Sequence, residues 1–283
     1  MIKTVGLAIA FSPTAERMLA EAVAIARFFS ARLVLIHVGD HTAKEEQVVK
    51  ALLEGSGLSS SAISIRWEKG DAARAILHAC SSENVDLLIA GALKKENILE
   101  YYLGSVARRI MRKASSSVLL LTHPSLHPSG FRNVVVGAED NPLVTKTVSL
   151  ACKLAGANNG WVHVVRELKM YGLVMAASDQ RTQEEYEDLR QDLVRDEIGK
   201  VEVMLQKIPH ENVKVNIKVV SGKSGFELGQ FARRKQADLL IVSAPRKRFG
   251  FFDRVFTHDL EYVFADLPCN LMIVHNGKEA RRD

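Results

Sequence analysis

The residues best placed to do chemistry lie between Asp86 and Ser105. An apolar run, Leu87–Ala90, reads as a strand buried on both faces. It breaks at Gly91, crosses a charged loop that contains Lys94, and returns at Gly104 and Ser105. Ser105 stands where a helix N-cap belongs, with Val106 and the following residues as the first turn. A strand, a glycine turn and a helix start together gather backbone N–H groups and the positive end of a helix dipole at one spot, and that combination holds phosphate. A glycine there also permits φ > 0 and lets the backbone come close to an anion. Lys94, if forced into a left-handed conformation, costs about 1–2 kcal/mol, although its ammonium can still reach a phosphate as a point charge.

Other candidates have structural explanations. Ser221–Gly222–Lys223–Ser224 looks like the end of a P-loop, but Ile217 occupies the place of the required earlier glycine, so the stretch reads as a turn and helix cap. Arg108, Arg109, Arg112 and Lys113 share one helix and read as a solvated face. His37 and His163 read as structural histidines at strand ends beside the site, because no Ser or Cys nucleophile accompanies them. Asp86 and Asp238 precede buried strands and are expected to bond locally to backbone. Trp67 and Trp161 fall in strand patterns and read as core. Arg246–Phe256, with three cations followed by phenylalanines, reads either as packing for a vacated pocket or as a surface for an anionic partner.

These residues need a scaffold, and the pattern supplies one. Thr4–Ala10 is a strand, Ser12–Pro13 a helix start, and Thr14–Ser30 carries apolar residues at helical spacing. Leu33–Val38, Ile63–Trp67, Leu87–Ala90 and Val118–Thr122 complete five strands, separated by helices, with Asp71 placed to cap one of them. Strands alternating with helices mean a parallel α/β sheet with right-handed crossovers.

The pattern then repeats. After a linker, His123–Gly130, come Val134–Gly137, Asn141–Pro142 and a helix over Leu143–Leu154. Trp161–Val165 reads as the counterpart of Leu35–Val38, which pairs His163 with His37. From Gly70 and Gly222 onward the halves keep one offset, through Asp86 and Asp238 to His123 and His275. A repeat this long is a duplicated domain. The second copy carries an extra segment at about 166–209, in which Gln180–Gln206 reads as a long amphipathic helix.

Composition bounds the function. The chain has 283 residues, 47% hydrophobic and 25% charged, enough for two buried cores. No apolar run approaches the ~20 residues of a membrane helix. Met1–Ala10 runs directly into a strand pattern, so no cleavable signal is expected. Three scattered cysteines give neither metal spacing nor a disulfide framework and fit a reducing cytoplasm. The net charge of +5 is compatible with nucleotides, nucleic acid or anionic surfaces and selects none of them.

With the turn after the first strand, H-V at the end of the second and glycines after the fourth, the chain resembles the universal stress protein family, as a tandem pair. That family's nucleotide motif runs glycine, two residues, glycine, nine residues, glycine, then Ser or Thr. The first half has Gly91, Lys94, Gly104 and Ser105 at those places; the second has Ser243, Arg246, Phe256 and Thr257. The family's aspartate after the first strand, which serves the adenosine, is Ala10 in the first half and Glu139 or Asp140 in the second. Losing that carboxylate removes a charged hydrogen bond of about 1.5–3 kcal/mol.

The resemblance implies two doubly wound parallel five-stranded sheets, order 3-2-1-4-5, of adenine nucleotide alpha-hydrolase-like type, in domains spanning 1–125 and 131–277. It implies pairing through the fifth strands, Val118–Thr122 and Leu271–His275, as a pseudo-dimer with two-fold symmetry. It implies a cytoplasmic stress-response or regulatory protein that binds ATP or AMP weakly in the first half. Gly91, Lys94, Gly104, Ser105 and Val106 would hold the phosphates, with Ala10 and Val38 beside the ribose and base. The second site, with Glu139, Ser243, Arg246 and Thr257, is expected to be degenerate, its phosphate place taken by Phe256. The alternative is a nucleotide-free adaptor that meets a protein partner or anionic surface through Arg246, Phe251 and Phe252; a homodimer is left open. ATP hydrolysis is the weakest reading, because no metal-binding carboxylate spacing and no general base is indicated.

Overall fold

The computed structural model describes residues 2–54, 63–94, 101–168, 183–221, 224–245 and 263–276. These fall into two compact units. One gathers Met1–Gly130 with residues 264–276, the other Phe131–Pro245 with Val263.

The first unit runs β1 (Thr4–Ala8), α1 (Ala15–Phe29), β2 (Arg32–Val38), α2 (Ala43–Glu54), β3 (Ile63–Glu68), α3 (Ala72–Ser82) and β4 (Leu87–Gly91). A two-stranded hairpin, β5 (Leu93–Lys94) and β6 (Tyr101–Tyr102), then leads to α4 (Ser105–Lys113) and β7 (Ser117–Leu121). The parallel strands lie in the order β7-β4-β1-β2-β3. This is the expected doubly wound arrangement, with its reversal between β1 and β4. Leu87, Leu88 and Ile89 are fully buried, which explains why β4 shows a continuous apolar run rather than alternation. Each such side chain contributes about 1.5–3 kcal/mol on burial.

Asp71 caps α3 as expected, accepting from the Arg74 amide at 3.0 Å. Two other helix starts are displaced from the sequence reading. Ser12–Thr14 form a turn, and α1 begins at Ala15 with no side-chain cap. Gly104, not Ser105, is the N-cap of α4, and Ser105 is its first helical residue.

The second unit runs β8 (Asn133–Gly137), α5 (Val144–Gly156), β9 (Trp161–Glu167), α6 (Gln183–Leu205), β10 (Lys214–Val220), α7 (Ser224–Arg234) and β11 (Leu239–Ser243). Its parallel strands are ordered β10-β9-β8-β11. Helix α6 buries Val201 and Leu205 and half-buries Leu189, Leu193 and Ile198, as the apolar spacing predicts. No described helix is long and apolar enough to cross a membrane.

The last strand, β12 (Asn270–Val274), lies in the first unit and pairs antiparallel with β7, Leu271 opposite Leu120 and Ile273 opposite Val118. The expected pairing of the two fifth strands is therefore present. Asn270 pins it: its side-chain oxygen accepts from the Thr122 amide at 2.9 Å.

Both halves staple their first strand in the same way. Asp86 accepts from the Lys3 and Thr4 amides at 2.7 and 3.0 Å, and Asp238 accepts from the Arg132 and Asn133 amides at 2.8 Å. These aspartates do bond to backbone, but not locally as expected: each reaches amides of the neighbouring strand, far away in sequence. The strand registers fix the repeat: Thr4 stands opposite Arg32, and Asn133 opposite Trp161, so 129 residues separate equivalent positions at both strands. That overturns the expected match of His163 with His37. The residue equivalent to His37 is Arg166, and His163 is equivalent to Val34.

Candidate functional site

In a doubly wound sheet, ligands bind beyond the carboxyl ends of the strands where the order reverses. In the first unit that place is bounded by the ends of β1 and β4 and by the start of α4. Ala10 follows β1 and is exposed; Val38 ends β2 and is half-buried; Gly91 ends β4 and is exposed. Gly104 is buried, whereas Ser105 and Val106 are exposed on the first turn of α4. The strand order thus brings Ala10, Val38 and Gly91 to one edge of the sheet, the edge from which the chain runs on to α4. The backbone of Lys94 lies in extended strand β5, opposite Tyr101.

Gly104 acts through space rather than through a special dihedral. Neither Gly91 nor Gly104 has a positive φ, so the left-handed role expected for this loop is not used, and Lys94 pays no left-handed cost. A Cβ on Gly104 would fall 2.5 Å from Leu93 Cδ1. Glycine there lets β5 lie against the start of α4, and it displaces the cap that Ser105 was expected to provide. Glycine at the N-cap supplies no side-chain cap to α4, and among the described residues no capping hydrogen bond reaches its first turn. The approach to it is tied down by backbone bonds: Leu103 donates to Phe264 and Leu267 donates to Tyr101, each at 2.9 Å.

Basic residues follow along α4. Ser105, Arg108, Arg109, Arg112 and Lys113 line a cleft of about 350 Å³. Arg109 also reaches the Asp71 carboxylate at 2.7 Å, and that contact holds the Asp71 carboxyl below its ordinary range.

Beside Val38 stands an aromatic cluster that the sequence reading missed. Phe11 stacks on His37 with ring centres 4.3 Å apart, Trp67 meets His37 edge-on at 5.3 Å, and His41 stacks on Trp67 at 4.4 Å. Trp67 is therefore part of the site edge rather than plain core. Trp161, also expected in the core, is 45% exposed at the opposite, N-terminal end of β9, where Lys214 lies over its ring. His163 is at that end too, held between Asn133 and Asn216, and burial together with nearby Lys235 lowers its pKa. It is a structural histidine, as its lack of a nucleophile suggested, but it is not at the carboxyl ends of the strands.

The corresponding edge of the second unit is occupied by its own side chains. Asn141 donates to the Ala244 carbonyl at 2.9 Å, and Ser243 shares a 2.8 Å hydrogen bond with Thr147. These pairs tie the end of β11 to the turn after β8 and to α5. Buried Arg166 donates to the Ala138 carbonyl at 2.6 Å, to Asp140 at 2.5 Å and to Glu197 on α6. Burial acts against its charge, but the two carboxylates outweigh it and raise the guanidinium pKa further. Asp140 is equivalent to Phe11, so Phe11 on His37 in one unit is replaced by Asp140 on Arg166 in the other. Glu139, the counterpart of Ala10, is exposed. Gly222, Arg246, Phe251, Phe252, Phe256 and Thr257, named from the sequence, lie outside the described residues, as does the side chain of Lys94.

Comparison with known proteins agrees with this architecture. No curated protein sequence matches the chain. A structure of a functionally unknown protein from Pseudomonas aeruginosa PAO1 superposes with a TM-score of 0.68 at 13% identity, covering 97% of this chain and 92% of the other. A putative universal stress protein from Pseudomonas aeruginosa UCBPP-PA14 gives 0.67 at 14% identity over 97% and 93%. A universal stress protein from Archaeoglobus fulgidus DSM 4304 gives 0.66 at 14% over 97% and 98%. At such identities these likenesses speak to fold alone. The universal stress protein family model matches residues 1–122 and again 130–275, nearly the whole chain in two copies, and the chain therefore belongs to the universal stress protein family.

Proposed function

We propose that this protein is a cytoplasmic regulator whose first unit binds an adenine nucleotide, ATP or AMP, while its second unit does not. The observation that carries the reading is the uncapped start of α4 behind Gly104, on the chain that leaves the end of β4. Phosphates would lie on the amides of Ser105 and Val106, beside Gly91 and with Lys94 near, and the base would sit beyond Ala10 and Val38. The start of α4 offers N–H groups and a helix dipole, and the cations farther along α4 add to the attraction. No carboxylate stands at Ala10 to take the ribose, a loss of about 1.5–3 kcal/mol. The aromatic edge of Phe11, Trp67 and His41 offers a compensation of similar size, since stacking a base on an aromatic ring contributes about 1–3 kcal/mol. In the second unit, Arg166 already occupies the carboxylate of Asp140, and the Asn141–Ala244 bond ties the end of β11 to the turn after β8.

Isothermal titration of ATP and AMP into the full chain tests this. One ligand per chain is expected. Gly104→Ala forces Leu93 and β5 away from the start of α4 and should weaken binding about tenfold, whereas Ser243→Ala in the second unit should leave it unchanged. Absence of heat and of any thermal shift at millimolar nucleotide refutes the reading.

A further inference from the structure

The two units carry one device in two chemical versions. Near the end of the second strand of each unit stands a buried basic side chain, His37 in the first and Arg166 in the second. Each bonds the carbonyl one residue past the first strand: His37 Nδ1 to Ile9 at 3.1 Å, and Arg166 Nη1 to Ala138 at 2.6 Å. Each lies against the side chain two residues further on, Phe11 or Asp140. Each also faces a glutamate of the following helix. Glu197 bonds Arg166, whereas Glu45 Oε1 stops 4.0 Å from His37 Nε2. A guanidinium keeps its proton; an imidazole exchanges one within the range that cells visit.

We propose that His37 is a proton-dependent latch on the first unit's site, and that Arg166 is its permanently charged counterpart, which keeps the second unit's site shut. The proposal rests on the reading of the first unit as a nucleotide site. Its physical basis is the 4.0 Å gap. With Nδ1–H donated to the Ile9 carbonyl, neutral His37 presents a lone pair at Nε2 to the Glu45 carboxylate, and two acceptors do not bond. A proton on Nε2 turns the same pair into a charge-assisted hydrogen bond. Glu45 is not a free end. Its other oxygen accepts from the Thr42 amide and hydroxyl at 3.0 Å, and Thr42 Oγ1 in turn accepts from the Glu45 amide. That reciprocal cap makes Glu45 part of the first turn of α2. Drawing Glu45 onto His37 draws that turn over Val38 and the end of β2. Gly39 keeps the line clear, since a Cβ there would fall 2.6 Å from His37 Nε2.

Among the described residues, the other charged groups near the ring have partners of their own. From the loop before α2, His41 pairs with Glu46 at 3.6 Å, and Asp40 pairs with Lys69 at 3.4 Å. From β3, Glu68 pairs with Arg66 at 3.3 Å and faces His78 at 3.8 Å, while Trp67 presents its ring. From the turn after β1 comes Phe11, uncharged. Among the described residues, Glu45 is the carboxylate that faces Nε2.

The test is ATP affinity of the full chain at about pH 8 and about pH 5.5, which bracket imidazole titration, for wild type, Glu45→Gln and His37→Arg. A glutamine carbonyl preserves the cap of α2 while removing the charge, and its NH2 can bond Nε2 only while the ring is neutral, the opposite pH sense to Glu45. Relative to Glu45→Gln, in which protonation of the ligand itself is unchanged, wild type should bind about three- to tenfold more weakly at the lower pH. His37→Arg should bind weakly at both. Parallel profiles for wild type and Glu45→Gln overturn the latch and leave the nucleotide site standing. Tighter wild-type binding at low pH overturns it too, because simple attraction between imidazolium and phosphate has that sign. Failure of wild type to bind at either pH refutes the nucleotide site itself. A ligand-free measurement stands apart from that result. In a Trp161→Phe, His41→Gln background, protonation of His37 should quench Trp67, 5.3 Å away, with a lower midpoint when Glu45→Gln is added. Equal midpoints overturn the latch.

Discussion

Replacing Arg166 by methionine should unfold the second unit at much lower denaturant. Three acceptors lose their donor: the Ala138 carbonyl, Asp140 and Glu197. Asp140 is half exposed, so its pair contributes at most about 1 kcal/mol. Glu197 is buried, and removing the partner of a buried charge costs about 3–5 kcal/mol. Lys200 remains at 2.7 Å from Glu197, which places the expected loss near the lower limit, about 3 kcal/mol. The double variant Arg166→Met/Glu197→Leu removes both buried charges and should recover most of that loss, because neither charge then needs desolvating. The sign of the pH dependence follows from Glu197. Burial pushes its carboxyl up, but Lys200 and Arg166 together hold it below 4.5 in the folded protein. A carboxyl whose folded value is depressed stabilises above its unfolded value and loses that contribution as pH falls through the folded one. The gap between wild type and Arg166→Met should therefore be complete at pH above about 4.5 and shrink below it. Urea titration followed by Trp161 emission in a Trp67→Phe background reads the second unit alone. A single-variant loss under about 1 kcal/mol, or a double variant no more stable than the single, refutes the reasoning.

Asp86→Ala removes an acceptor shared by the Lys3 and Thr4 amides and should cost about 2–3 kcal/mol by denaturant midpoint; Asp238→Ala should match it within about 1 kcal/mol, since the two staples are equivalent. Burial lifts the Cys80 thiol to about 12 and the Cys152 thiol to about 11, so alkylation of the native protein near neutral pH, read by mass spectrometry, should reach half-buried Cys269 first, with Cys80 and Cys152 labelled only on unfolding.

The fold was legible because burial leaves a one-dimensional trace. Leu87–Ala90 and Leu239–Val242 are continuous apolar runs since both sheet faces are covered, and the aspartate before each run marks where a carboxylate must catch two amides of the neighbouring strand. The cap of α3 was legible for a similar reason: Asp71 bonds three residues along its own chain. Helix α4 was read one residue out. A serine is the better cap by propensity, but the choice at Gly104 is made by Leu93, whose approach no local pattern records.

The site itself was half legible. Glycines announce a loop that something approaches, whereas the device around His37 and Arg166 is built from residues of unlike type at equivalent places. Matching by residue letter pairs His37 with His163 and puts both at the nucleotide edge. Matching by strand register pairs His37 with Arg166 and sends His163 to the far end of the sheet. The same offset of 129 residues separates Ser12–Pro13 from Asn141–Pro142, so the sequence itself carries the register that pairs His37 with Arg166. A duplicated chain is constrained by geometry before chemistry: each copy must fill the space between the end of its first strand and the helix after its second. Histidine with phenylalanine fills it in one copy and arginine with aspartate in the other. Of these two fillings, the first can change its charge and the second cannot, and so the duplication has left one of the two sites free to respond.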